Sequence, residues 1–213
     1  MLGRSIDAVQ NLFYPTRLSE GMLITVSGPP GCGTSTTAAG LAETLGFDHV
    51  SGGDVFRELA AERNLTLAEF NELAEEDDSI DRALDRRLYE IARERDELVL
   101  ESRLAGWLGG DEADFRVWLD APLSVRAERV ADREAIPVER ARDESAVRER
   151  SEARRYREYY GIDIGELSIY DLTINTARWS ADAVLAILVG AVEAYDPADD
   201  EGTWPIEGVE YDF

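Results

Sequence analysis

Met22-Leu-Ile-Thr-Val-Ser-Gly-Pro-Pro-Gly-Cys-Gly-Thr-Ser-Thr36 decides the fold. Met22 to Ser27 is a short β-rich run, and Thr34 to Leu45 has the character of a helix. Between them, Gly28-Pro29-Pro30-Gly31-Cys32-Gly33-Thr34-Ser35-Thr36 has the strand–loop–helix setting of a phosphate loop. Successive backbone N–H groups and a helix N-terminus there cradle an anionic phosphate. Gly28, Gly31 and Gly33 let the backbone curl closely around that group, and Ser35 falls at the hydroxyl position that ligates Mg²⁺. One position departs from the usual G-x-x-x-x-G-K-[ST] pattern: Thr34 stands where Lys is expected. That ammonium normally reaches the β- and γ-phosphates. Cys32 lies near a helix N-terminus, a setting that can lower a thiol pKa, but a small packing residue is the simpler reading.

Working outward, strand-like runs recur at Asp48–Ser51, Leu98–Glu101, Phe115–Asp120 and Tyr170–Asn175. Helical stretches are expected at about 54–63, 66–76, 79–95 and 181–195, with one long Arg-rich helical stretch from residue 123 to about Tyr160. Five short apolar strands alternating with helices predict an α/β domain on a parallel sheet. Residues 1–21 form a leader, read either as a short amphipathic helix ahead of Pro15 or as a disordered extension. The tail 196–213 is acidic with aromatics, and is expected to be loosely ordered.

The charge is unusual: 45 Asp plus Glu against 22 basic residues, a formal net charge of −23 and a sequence pI near 4.3. All 22 basic residues are Arg; the chain has no Lys. This balance argues against nucleic acid and against an anionic membrane surface, which both need a basic face. It fits work in very high salt, where repulsion is screened within a few ångströms. The single cysteine excludes an intrachain disulfide. The longest apolar run, Ala183 to Val192, is too short to span a bilayer, and no early apolar segment suggests a signal peptide. A cytoplasmic, monomeric protein is expected.

These stretches resemble the archaeal-type cytidylate kinases, within the P-loop nucleoside monophosphate kinases. The resemblance rests on MLITVSGPPGCGTST, SGGDVFRELA, AEEDDSIDRALDRR, LESRLAGW, VWLDAPLSVRAERVADRE, SEARRYREYYGIDI and LSIYDLTINTARW, which span about residues 22–195. It implies a three-layer α/β/α fold with strand order 2-3-1-4-5, an acceptor-binding region near 51–95 and a lid near 133–160. It also implies transfer of the ATP γ-phosphoryl to CMP or dCMP with Mg²⁺. The loop residues 28–36 would then hold ATP, with Arg129 on the donor base. Arg133 would contact the donor phosphates, and Arg148 and Arg155 would close over the transferring group. Ser51, Asp54, Arg57 and Arg103 would take the acceptor, and Ser35 and Glu101 the metal ion. For these Arg, ion pairing on a solvated helix is the alternative. Asp54 has a second reading as a helix N-cap, and Glu101 as a simple strand-end acid.

Arg148 and Arg155 lie seven residues apart and so share a helix face. Residues 126–157 hold ten Arg and eight acids, a locally basic stretch in an acidic chain. Asp120 reads as a strand terminus and His49 as structural. Asp163, Asp171 and Asn175 lie in family-like segments without an assigned role. With Thr34 in the Lys position, the missing charge would come from an arginine, Mg²⁺ or a bound K⁺. Two other readings stay open: a catalytically impaired nucleotide-binding relative, and a kinase for another small acceptor such as UMP or AMP.

Overall fold

The computed structural model describes residues 21–196, 200, 202 and 204–213. The leader expected at 1–21 therefore lies almost wholly outside the described residues. Five strands form one sheet in the order β2-β3-β1-β4-β5, and every pairing is parallel. They are β1 (Leu23–Ser27), β2 (Asp48–Ser51), β3 (Leu98–Glu101), β4 (Phe115–Asp120) and β5 (Leu172–Asn175). β1 is central and every one of its residues is buried, as a strand covered by helices on both faces must be.

Eight α-helices are found among the described residues: α1 (Thr34–Leu45), α2 (Gly52–Glu62), α3 (Leu67–Glu76), α4 (Asp78–Glu94), α5 (Ala105–Gly109), α6 (Leu123–Glu134), α7 (Val138–Tyr160) and α8 (Ala181–Ala194). α1 and α8 cover one face of the sheet, where Ile24, Val26, Leu41, Val99, Val117, Leu119 and Leu188 pack together. The opposite face buries Leu98, Leu100, Leu104, Trp107, Trp118, Tyr156 and Tyr160 beneath α4, α5 and the C-terminal half of α7. Ser27 and Glu101 end adjacent strands, so the loop after β1 opens at the carboxyl edge of the sheet, where parallel α/β sheets bind ligands.

Three features depart from the sequence expectation. The long Arg-rich stretch is two helices: α6 ends at Ala135 in the left-handed region (φ 53°), and Pro137 precedes α7 as its N-cap. Proline has no N–H to donate and restricts the residue before it, so one continuous helix cannot pass through. α5 is a further helix, too short and too glycine-rich for its periodicity to register. Its Gly106 is required by packing, because a Cβ there would lie 2.5 Å from the Tyr170 ring.

The third departure is the tail. Tyr211 and Phe213 stack on each other and lie against Tyr89 and Tyr160. The Tyr211 hydroxyl donates to Trp107 O at 2.5 Å. Fully buried Arg116 donates to Trp204 O, Ile169 O and Gly110 O. The end of the tail is thus packed rather than loose, because Ile206, Val209, Tyr211 and Phe213 lie against the core and their apolar area offsets the cost of ordering the chain, while the Trp204 ring stays exposed.

Candidate active site

The loop between β1 and α1 takes its shape from where its carbonyls point. Arg103 Nη1 donates to Gly28 O at 2.5 Å, Arg126 Nη1 to Pro30 O at 3.3 Å and Arg129 Nη1 to Gly31 O at 3.3 Å. The Thr176 hydroxyl donates to Cys32 O at 2.8 Å, and Cys32 N to Pro29 O at 3.3 Å. Four of the loop's carbonyls are thus held from outside by side chains, and that of Pro29 by the loop itself. Gly31 has φ 82°, and a Cβ there would sit 2.6 Å from Arg126 O; Gly33 has φ 98° and nothing within 4 Å of its Cβ position. The first glycine is demanded by close approach of α6, the second by backbone conformation in front of open space. That open space adjoins the N-terminus of a twelve-residue helix, which suits phosphate.

Thr34 Oγ1 donates to Glu101 Oε1 at 2.9 Å. The position that usually carries an ammonium thus holds a hydroxyl bound to an acid. Three guanidinium groups, of Arg103, Arg126 and Arg129, reach the loop backbone from outside it. Ser35 and Thr36 are exposed on the first turn of α1. Cys32 is buried, and that burial pushes its thiol up to about 11, so its side chain is a neutral packing group. Among the described residues no group of three or more His, Cys, Asp or Glu could hold a metal ion. A Mg²⁺ site needs no such cluster, since this ion takes one or two protein oxygens and fills its shell with water and substrate phosphate. The Ser35 hydroxyl and the Glu101 carboxylate fit that pattern.

Among the residues expected to take the acceptor, Ser51 and not Asp54 caps α2. Its hydroxyl accepts from Asp54 N at 3.1 Å and donates to Asp54 Oδ2 at 2.7 Å. Asp54 also ion-pairs closely with Arg57. The Ser51 hydrogen bond and the Arg57 guanidinium hold the Asp54 carboxyl below its usual range. Arg57 lines a cleft of about 430 Å³ with His49, Arg87 and Arg95.

Arg103 leaves the end of β3 and pairs with Glu152 at 2.9 Å. Glu152 is buried on α7 and also accepts from Arg148 Nε at 2.7 Å. Arg155 turns instead to Asp81 on α4, at 2.8 Å, and to the Ser151 hydroxyl. The shared helix face of Arg148 and Arg155 therefore meets two different acids.

Two expected donor-side residues are placed differently from one another. Arg129 is held under the loop by Thr176 Oγ1 and O, both at 3.0 Å. Arg133 is exposed and pairs with Glu134; no contact brings it to the loop. Asp171 accepts from Arg116 N, Asp120 from Ala121 N and Asn175 from Ala177 N, so all three serve local backbone structure. Asp163 pairs with Arg157 at the surface.

Sequence reasoning missed Arg126, Glu149, Glu152 and Thr176. Arg126 and Arg129 are three apart on α6 and both turn toward the loop, a spacing visible in VRAER. Nothing local marked the two acids of α7 among their neighbours.

A profile of the cytidylate kinase-like family matches residues 23–178. The chain belongs to the cytidylate kinase-like family. It is 68% identical over 192 residues to a cytidylate kinase of Halorubrum lacusprofundi, covering 90% of this chain and all of that one. A cytidylate kinase of Natronomonas pharaonis is 65% identical over the same length and coverage. Among solved structures, shikimate kinase from Acinetobacter baumannii in complex with shikimate superposes with a TM-score of 0.56 at 20% identity. That match covers 80% of this chain and 92% of that one. This likeness bears on fold alone, and with the strand order it gives this cytidylate kinase-like chain a P-loop α/β kinase fold.

Proposed function

We propose that this chain transfers the γ-phosphoryl group of ATP to CMP or dCMP, giving ADP and CDP or dCDP. The observation that carries the reading is similarity to cytidylate kinases across 90% of the chain, joined to a glycine-rich loop at a helix N-terminus that is backed by arginines. The donor phosphates would lie over Gly33 and the first turn of α1, with Arg129 behind the loop. An oxygen of the acceptor phosphate attacks the γ-phosphorus, and the bond to the β–γ bridging oxygen breaks. That acceptor oxygen is already largely ionised near neutral pH, its second pKa being about 6, so no general base is needed. The work left to the chain is positioning and charge neutralisation.

Arg103 and Arg57 would hold the acceptor phosphate, with Ser51 and Asp54 fixing the approach of α2. Arg148, Arg155 and Arg133 would complete the positive surround of the transferring group, with the exposed Arg133 on the proposed lid near 133–160 moving to reach it. Ser35 and Glu101 would hold Mg²⁺, which when bound supplies charge neutralisation at the phosphates. K⁺ near Thr34 is the proposed supplement for the absent ammonium. Dependence of the rate on KCl but not on NaCl at matched ionic strength supports that role; equal rates in both salts exclude it. The net charge of −23 suits a cytoplasm of high salt, and among the described residues no helix is long and apolar enough to cross a membrane. The working unit is proposed to be a monomer.

The direct test is ADP release in molar KCl with CMP, dCMP, UMP and AMP offered separately. Turnover with CMP or dCMP well above the other two supports the assignment. Preference for UMP or AMP, or no turnover with any acceptor, overturns it.

A further inference from the structure

The phosphate loop is tied to α7 at two points one helical turn apart. Arg126 starts on α6 and passes beneath the loop with its side chain almost fully buried. Its Nε donates to Ala121 O at 2.7 Å and its Nη1 to Pro30 O at 3.3 Å. The same fork then grips Glu149 of α7, Nη1 to Oε1 at 2.5 Å and Nη2 to Oε2 at 3.3 Å. One turn on, Glu152 holds Arg103, which in turn holds Gly28 O. Ser145, Glu149, Glu152 and Tyr156 follow one another along the inward side of α7, and all but the half-buried Glu149 are buried.

The chemistry of Arg126 makes this a rigid coupling. Four of its five N–H groups are committed, two to fixed backbone oxygens and two to the carboxylate. A planar guanidinium can hold all four in one geometry, whereas a lysine ammonium cannot. Arg126 also meets the loop through its own backbone, since its carbonyl lies where a Cβ on Gly31 would be. Displacement of Glu149 therefore tilts the guanidinium plane and moves Pro30 O, one residue before the amides that face the ligand. Small displacements matter here, because misplacement by about 1 Å can cost roughly a hundredfold in rate.

We propose that Arg126 and Glu149 are positioning residues that hold the amide face of the phosphate loop in register with α7. The rate readout of this idea rests on the proposed phosphoryl transfer; the exchange readout does not. Glu149→Gln keeps shape and one acceptor oxygen but removes the charge, and Arg126→Lys keeps charge but loses the fork. Amide hydrogen exchange at Cys32 and Thr37, whose N–H groups are held by Pro29 O and Gly33 O, should rise several-fold in Glu149→Gln, with β1 and β4 unchanged. With ATP and CMP, kcat should fall about tenfold while the KM for CMP stays within about twofold. The double variant should be no slower than Arg126→Lys alone, because the pair acts as one unit.

Wild-type exchange across the loop in Glu149→Gln overturns the proposal. So does a rise spread evenly over the sheet, and so does a double variant as slow as the product of the singles. A wild-type chain that turned over no CMP would defeat the assignment of function, and the exchange result would still decide the pair. Should Arg126→Lys fail to fold, the exchange pattern of Glu149→Gln decides alone.

Discussion

Arg126 on α6 has a side chain 7% exposed, and Arg154 on α7 has one 74% exposed. Arg126 holds a loop carbonyl, a strand-end carbonyl and a carboxylate; Arg154 lies 3.6 Å from Glu158 and is otherwise surrounded by solvent. Both belong to the same basic stretch and look alike in composition. The difference teaches where charge can work in a chain this acidic. Beneath the loop, Arg103, Arg126 and Arg129 are screened little and are fixed by backbone acceptors. Along the outside of α7, Arg140 and Arg154 face water and acids four residues away, in pairs worth about 0.3–0.5 kcal/mol.

The largest consequence should fall on Arg103, which joins the loop to α7 and is proposed to hold the acceptor phosphate. Arg103→Met is expected to lower kcat with ATP and CMP by about a hundredfold or more, measured by coupled ADP release. A loss under tenfold would place Arg103 with the outer arginines. Arg129→Met should come next: loss of the Thr176 and Gly31 contacts is expected to raise the KM for ATP by about tenfold, and the KM for CMP much less. Equal effects on both substrates would mean that Arg129 supports the fold generally.

A smaller effect is expected where α4 meets α7. Asp85 is buried, accepts from the Tyr160 hydroxyl at 3.1 Å, and is pushed up to about 7, chiefly by that burial. Between the ordinary Asp range and about pH 7 the folded chain holds a proton that the unfolded chain has lost. Stability from this group is thus full in acid, falls as pH rises through that interval, and is gone above it. Asp85→Asn should remove that slope and gain on the order of 1 kcal/mol at pH 8, read by denaturant unfolding at pH 5 and pH 8. An unchanged slope would contradict it. Arg154→Gln should change stability by no more than about 0.5 kcal/mol and activity by less than twofold; a tenfold loss of rate would break the contrast between the two arginine sets.

How much of this was legible in the sequence varies by element. The five strands were readable because parallel-sheet residues are apolar runs between turn signals, and 22–36 carried its loop in its glycines. The strand order came from family resemblance, and the sheet has it. The break at Ala135–Pro137 was signalled by the proline but masked by helix-favouring residues on both sides. The packed tail was not legible, because Tyr211 and Phe213 find Tyr89 and Tyr160 only across long sequence separations. Arginine identity was legible and arginine role was not. Arg133 and Arg126 share one helix, yet only three-dimensional packing turns Arg126 under the loop and leaves Arg133 paired with Glu134. Glu149 and Glu152 were invisible for the same reason, as two acids among the eight of that stretch.

This phosphate loop has no lysine, and three arginines from outside it hold its carbonyls in place. The most direct measurement is kcat for Thr34→Lys beside wild type, with ATP and CMP in molar KCl. An ammonium there would lie next to Glu101, which already holds the Thr34 hydroxyl, and would pair with that acid, so a change of no more than about threefold is predicted. A gain of a hundredfold would contradict this, because it would show that the native loop lacks the charge its chemistry needs.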